Sequence, residues 1–487
     1  MHDRYSRTSL GHFAKSTLVL ALALGLTACA STSSFEAPDA NFKGRVNVVD
    51  TPSVVAGTDV KLAGRDFKPG QEVTVLYGST PLNTQPAVVG ADGTFRTQFQ
   101  VPAAAETGRH SLVVSASKPA AAVVLPLKVS PNLPLSGQEH FEVKSNKLVP
   151  GLYQAAYSAK NDRIFVTSAV GRPPVSQTEL LKINPQTLAI EGRVTPDVAP
   201  APAPRAAAQP APVGDAPRQP GRFAVYGVSV DDVNGTVWVT NTRQNTVAVY
   251  DQSNLKLVKQ FEPGVVPHAR DVVVDSELGK AYASPVGKGE IAVFDTKALA
   301  HLQNIPVKTS VSVPPGPGGS NTAFSPMSLA LDAQNHRLYT VSMSTNEAAV
   351  INTRTDQVEK VFVVEGAHSA SGVAYDSKTH RLLVVAQGSD NLLIVDVATG
   401  KTLSNVKVGA GALNVTFDSV KRLAYVANRG AGTVTVVDID GKIVANLAGG
   451  TFPNHATVDG KGGVFAVNKA RGTDDPEGDR ITHIKPR

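Results

Sequence analysis

The feature that most constrains this chain is a repeat. Seven times it runs through an apolar strand, a turn with Asp or Ser, a strand ending in small or amide residues and a third strand, followed in all but the last by a polar outer strand. The copies are YQAAYSAKNDRIFVTSA, YGVSVDDVNGTVWVTNT, RDVVVDSELGKAYASP, MSLALDAQNHRLYTVSM, SGVAYDSKTHRLLVVAQ, LNVTFDSVKRLAYVAN and NHATVDGKGGVFAVN. Their first-turn markers are Ser158, Asp231, Asp275, Asp332, Asp376, Asp418 and Asp459. Four of the six intervals are 44, 44, 42 and 41 residues; the other two, 73 and 57, contain Pro-rich insertions. A period of about 40–45 residues with four strands per unit is that of propeller blades. Each blade buries its faces on its neighbours, so no copy is stable alone. The expectation is an all-β chain with a seven-bladed propeller over 138–487. The seventh copy runs out after three strands, at GDRITHIKPR, while Gln138–Leu148 is a lone strand with no blade of its own. Paired with the C-terminal strand, it would complete the last blade, close the ring and remove an open edge.

The N-terminus reads as an export signal. Arg4, Arg7 and Lys15 stand against one acid, Asp3, and Ser16–Leu26 is an unbroken run of apolar and small residues. Eleven residues rise about 16 Å as a helix, too short for a hydrocarbon core of about 30 Å. That suits a signal peptide rather than a membrane span. The following Leu26-Thr27-Ala28-Cys29 resembles the lipobox of bacterial lipoproteins, which implies cleavage after residue 28, lipid on Cys29 and attachment to a membrane through that lipid. Ala30 in place of Asp implies the outer membrane, facing the periplasm. Cys29 is the only cysteine, so intramolecular disulfides, CxxC metal knuckles and CxxCH haem attachment are excluded. Removing the leader takes the net charge from +6 to +4, too mild to argue for nucleic acid.

Residues 29–43 are small and polar, a flexible tether. From 44 to 131 the pattern becomes short alternating strands: RVNVV, DVKLAG, EVTVLYG, GTFRTQFQV, HSLVVSA and AVVLPLKV. Six or seven strands in under ninety residues suggest a β-sandwich. The segments GRDFKPGQEVTV, ADGTFRTQFQVP and GRHSLVVSAS resemble bacterial Ig-like domains, and a spacer or docking role is expected there.

Within the repeats, VWVTNTRQNTVAVYD and LAYVANRGAGTVTVVD resemble YVTN-type propeller repeats. PGLYQAAYS, ELLKINPQTL, HARDVVVD, FPNHATVDG and the excursion NKARGTDDPEGDRI are similar to the YncE group of periplasmic seven-bladed proteins. That resemblance implies a propeller that binds single-stranded DNA without enzymatic activity. The lipobox, the Ig-like segment and the Pro-rich insertions depart from the group.

In a propeller, the loops joining second to third strands open on the same side as those joining one blade to the next. The insertions at 195–222 and 308–324 and the loops AVGRPPVSQT and KARGTDDPEGD therefore gather on one face, where recognition usually sits. Its second-to-third-strand loops carry Arg172, Arg243, Lys288, Arg429, Lys469 and Arg471, a basic arc over five contiguous blades. Blades four and five place Glu347 and Asp390 there instead, and Asp474, Asp475, Glu477 and Asp479 crowd the last loop. The arc reads either as solvated loop tips or as a surface for an acidic protein, phosphate groups or single-stranded nucleic acid.

Five residues before each marker the innermost strand begins, with Tyr153, Tyr226, Arg270, Met327, Ser371, Leu413 and Asn454. Asn454, Tyr153, Tyr226 and Arg270 fall on four consecutive blades. They either line a channel mouth, the two tyrosines offering a base-stacking platform, or pin neighbouring blades. No carboxylate and amide cage for a divalent cation occupies these positions, the histidines show no paired metal spacing, and no GxSxG or phosphate-cradling loop occurs. The chain is expected to be a non-enzymatic binding scaffold without cofactors, with an envelope protein as partner. Single-stranded nucleic acid is the alternative, and a small-ligand or metal-dependent propeller enzyme the second.

Overall fold

The computed structural model describes residues 41–201, 220–312 and 323–487. The leader, Cys29 and the centres of both Pro-rich insertions lie outside the described residues.

Residues 45–130 form two sheets on one core. The smaller pairs Asp59–Arg65 with Arg45–Val49 and Phe95–Gln100; the larger runs Val54–Val55, Ala121–Ser130, Gly108–Ser117, Glu72–Tyr77, Thr80–Pro81. Alternation sets which side chains meet. Val60 and Leu62 are buried with Phe95, Phe99, Leu112 and Val114, while Asp59 and Lys61 face out.

From residue 138 onward the described residues form seven four-stranded antiparallel sheets. We number them one to seven by their inner strands: Leu152–Ser158, Val228–Asp231, Ala269–Asp275, Pro326–Asp332, Ala370–Asp376, Ala412–Asp418 and Pro453–Val458. Each inner strand touches the next, and that of sheet seven returns to that of sheet one. The described residues are thus all-β, with the repeated sheets of a β-propeller. Because each sheet is covered on both faces, its second and third strands lose the alternation seen in the N-terminal sandwich. Thr236–Asn241 is buried at every residue, whereas the outer Leu257–Gln260 is largely exposed. Between sheets two and three the fully buried Trp238 ring lies 5.9 Å from Phe261 and 5.8 Å from Phe294.

The turn markers earn their place chemically. Asp231 Oδ1 accepts the backbone N–H of Val233 and Asn234, and Asp459 Oδ1 those of Lys461 and Gly463. Such Asx turns fix the hairpin at the end of the ring away from the second-to-third-strand loops. A second series, absent from the sequence reading, does the same before the outer strand. Asn184 caps Gln186 and Thr187, Asp251 caps Ser253 and Asn254, and Asn352 caps Arg354 and Thr355.

The lone strand Phe141–Lys147 pairs antiparallel with Arg480–Pro486 and is the outermost strand of sheet seven. Phe141, Ile481 and Ile484 are buried by this arrangement.

Candidate functional site

Six side chains converge at the loop end of the ring axis. Tyr153 opens from the inner strand of sheet one, and its carbonyl accepts Asn454 Nδ2 at 2.7 Å. Asn454, buried on the inner strand of sheet seven, accepts the Arg429 guanidinium at 2.6 Å. Arg429 stands one residue beyond the second strand of sheet six, Leu423–Asn428. On the other side Tyr226 meets Tyr153 edge to face, ring centroids 4.4 Å apart, and Arg243 Nε donates to the Tyr226 hydroxyl at 3.2 Å. Tyr226 precedes its strand, which begins at Val228, so the expectation that all seven aligned positions begin the inner strands fails there. Lys469 donates to the Ala169 carbonyl at 3.0 Å and lies 4.2 Å from the centroid of the Tyr153 ring.

The approach to the inner strands is itself specialised. The residue just before the strand is left-handed in five sheets: Gly151, His268, Ser369, Gly411 and Phe452. A bulky residue rarely adopts this conformation. Phe452, at φ 46°, takes it with Arg429 4.8 Å and Arg471 5.3 Å from its ring. The sequence reading missed Phe452; a bulky residue aligned with glycines at the same step of the repeat was the available signal.

Arg243, Arg270, Arg429 and Lys469 bring four positive charges to this mouth, and none is in an ion pair among the described residues. Burial holds Arg429 below its usual value; Tyr153 opposes this and Arg270 adds to it. Burial, followed by Arg429, lowers Lys469 to about 8; Asp479 opposes the shift and Arg243 adds to it. Burial lowers His268 as well, with Arg243 and Arg270 beside it. Gathering like charges with no carboxylate in an ion pair with them costs stability that a bound anion offsets.

Other parts of the expected arc are placed differently. Arg172 and Lys288 are exposed on their loops, and among the described residues no hydrogen bond, ion pair or ring contact joins them to the cluster. Glu347 and Asp390 are not surface acids. Glu347 is buried and accepts Ser310 N at 2.7 Å, Ser310 Oγ at 2.6 Å and Thr309 Oγ1 at 2.6 Å, fixing the start of the second insertion. Asp390 is buried in an ion pair with Lys128 of the N-terminal domain. In the last loop Asp479 is spent on Gly151 N and Ala470 N, and Asp475 on Arg471 N and the Thr451 hydroxyl. Backbone N–H groups and a hydroxyl claimed these carboxylates, which a count of loop charges does not foresee. Nor do the two tyrosines form a flat platform, since they meet edge to face and Lys469 covers Tyr153.

Below the mouth a polar waist joins the sheets. Gln154, Asp271, Asn414 and His455 each accept the backbone N–H of the next inner strand, from Val228, Leu329, Ala456 and Ala155. Neighbour-pinning, the alternative reading of the inner positions, thus falls mainly to the residue after each. Burial raises the Asp271 carboxyl, and burial, then Arg270, lowers His455 to about 3. Beyond the waist, a funnel of about 350 Å³ opens on the opposite end. The mouth therefore offers cations, one lysine near neutrality and aromatic edges, a set suited to holding an anion.

No family model matches the chain. It is 24% identical over 330 residues to an uncharacterized protein YncE of Salmonella typhimurium, covering 65% of this chain and 82% of that protein. A YncE of Salmonella typhi is 23% identical over the same length and shares of both chains. Among solved structures, a streptogramin B lyase superposes with a TM-score of 0.52 at 12% identity, covering 72% of this chain and 100% of its own. Kuenenia stuttgartiensis hydrazine synthase gives 0.51 at 15%, covering 66% and 94%. The Cps50 (Swd1) β-propeller domain of Myceliophteria thermophila gives 0.50 at 11%, covering 70% and 98%. These likenesses support a YncE-like β-propeller; the solved structures speak to fold alone.

Proposed function

We propose that this chain is a lipid-anchored binding scaffold of the cell envelope whose propeller recognises an acidic group on a partner protein. In this reading the leader is removed before Cys29, which carries the lipid, and the protein faces the periplasm from the outer membrane. Residues 44–131 are an Ig-like sandwich and 138–487 a seven-bladed, non-enzymatic propeller. The observation that carries the proposal is the gathering of Arg243, Arg270, Arg429 and Lys469, without a paired carboxylate, at the end of the axis where the longest loops emerge. In the test, solubilised envelope is passed over the full chain and over a variant with Arg243, Arg429 and Lys469 changed to Met. A specific partner retained by the first and lost by the second supports the proposal. Equal retention by both contradicts it.

The second reading is single-stranded nucleic acid, favoured by cations beside tyrosines and by the resemblance to the YncE group. Its phosphates would engage the same charges, but the edge-to-face tyrosines lack the open stacking faces that such binding uses. Titrating a labelled single strand at two salt concentrations separates the readings, because phosphate-driven affinity falls steeply with salt.

A further inference from the structure

The N-terminal domain sits on the same end of the ring as the mouth, against sheets five and six. Lys128, on Ala121–Ser130, places its ammonium 2.7 Å from Asp390 Oδ1 and donates to the Gln387 carbonyl at 2.7 Å. Both acceptors lie between the second and third strands of sheet five. The Asp390 side chain is 2% exposed, and Lys128 is its one ion-pair partner among the described residues. The Pro52 carbonyl stands against Gly430, 3.2 Å from where a Cβ would lie. The linker is fixed too: Asn446, on the outer strand of sheet six, donates to the Leu133 and Pro134 carbonyls, and Ser136 forms a bridge with it.

The same Asp390 oxygen accepts Gly411 N at 2.6 Å. Gly411, at φ 68°, in turn accepts Arg429 N through its carbonyl at 2.9 Å, and Ala410 accepts Gly430 N at 2.9 Å. Arg429 then reaches Asn454, and Asn454 the Tyr153 carbonyl. An unbroken hydrogen-bonded path therefore runs from a cation of the N-terminal domain to the arginine and tyrosine of the mouth.

We infer that the N-terminal domain is a docked control element for the mouth, its Lys128 neutralising Asp390 so that the Gly411 segment holds Arg429 in place. The inference rests on the anion-binding reading of the mouth and adds its regulation. A buried carboxylate stripped of its counter-charge must move or take up water, and Gly411 and the Arg429 backbone are bonded directly to what would move. A partner that drew the N-terminal domain away would thereby loosen the anion site, and an anion holding Arg429 would favour the docked arrangement, since such coupling is reciprocal.

The test compares the full chain with Lys128→Met and Lys128→Arg, using inorganic phosphate as probe at low salt and hydrogen exchange of 408–412 and 428–432 as a second readout. A thermal melt first establishes that each variant is folded. Lys128→Met is expected to bind phosphate roughly 5-fold more weakly and to exchange faster in both segments, with Lys128→Arg restoring both. Unchanged affinity and exchange in a folded Lys128→Met chain would overturn the inference while leaving the mouth reading standing. If the unaltered chain binds no phosphate, the mouth reading fails, and exchange alone then decides whether Lys128 controls the Arg429 segment.

Discussion

The Lys469 ammonium lies against the ring of Tyr153, 4.2 Å from its centroid, where burial and the neighbouring Arg429 bring its pKa to about 8. A bound anion favours the protonated form, so binding and proton uptake are linked. Affinity is full below the free-state value and is lost as pH rises through it. Affinity for sulfate, which unlike phosphate does not itself titrate in this range, should fall roughly tenfold between about pH 7 and about pH 9 when measured by calorimetry. Lys469→Arg should remove that slope and Lys469→Met should bind weakly throughout. An unchanged slope in Lys469→Met would assign the titration to another group.

Geometry separates the cluster from the rest of the basic arc. Arg243→Met removes a cation hydrogen-bonded to Tyr226 and should weaken phosphate binding by about tenfold or more, as charged contacts do. Arg172→Met and Lys288→Met, on exposed loops, should stay within about twofold. Equal losses in all three would mean that a diffuse field, rather than a site, attracts the anion.

The repeat made the ring legible because its strands, turn markers and spare N-terminal strand are all local patterns. Tyr153, Arg243, Arg270, Arg429, Asn454 and Lys469 were legible for the same reason, since a fixed period assigns each to one end of the ring. Glu347 and Asp390 were misread because their partners, Thr309 with Ser310 and Lys128, lie 38, 37 and 262 residues away. Those partners lie outside the repeated units, in the second insertion and the N-terminal domain, so the period says nothing about them. Phe452 was hidden because its role depends on a backbone angle that bulky residues seldom adopt.

The waist predicts acid sensitivity. His455 Nδ1 accepts Ala155 N across the junction of sheets seven and one, at 3.4 Å, and must be unprotonated to do so. Its folded-state value of about 3 lies below the ordinary one, so the unfolded chain takes up its proton first. The loss of stability begins as pH falls below about 6.5 and continues to the folded value. At about pH 5 this amounts to roughly 1–2 kcal/mol. His455→Asn, imitating Asn414 in sheet six, should keep the acceptor and shrink the acid-induced drop in urea midpoint. An identical drop would contradict this assignment.

Ring closure can be weighed on one cross-strand pair. Ile484 is 1% exposed and Val143, its partner in the register, 48%. Ile484→Ala should cost about 2–5 kcal/mol in denaturant unfolding and Val143→Ala under about 0.5 kcal/mol. Similar small costs would mean that the terminal strand adds little to holding the ring shut.

The central claim is that a partner is recognised at the cationic mouth. Photo-crosslinking in the native envelope tests it most directly, with one probe at Gly472, where an added side chain meets nothing within 4 Å, and another at Val420, 58% exposed in a turn at the opposite end. The account predicts capture of a specific protein from Gly472 alone, abolished when Arg243, Arg429 and Lys469 are replaced by Met. Capture from Val420 instead, or capture from Gly472 that survives those replacements, would contradict it.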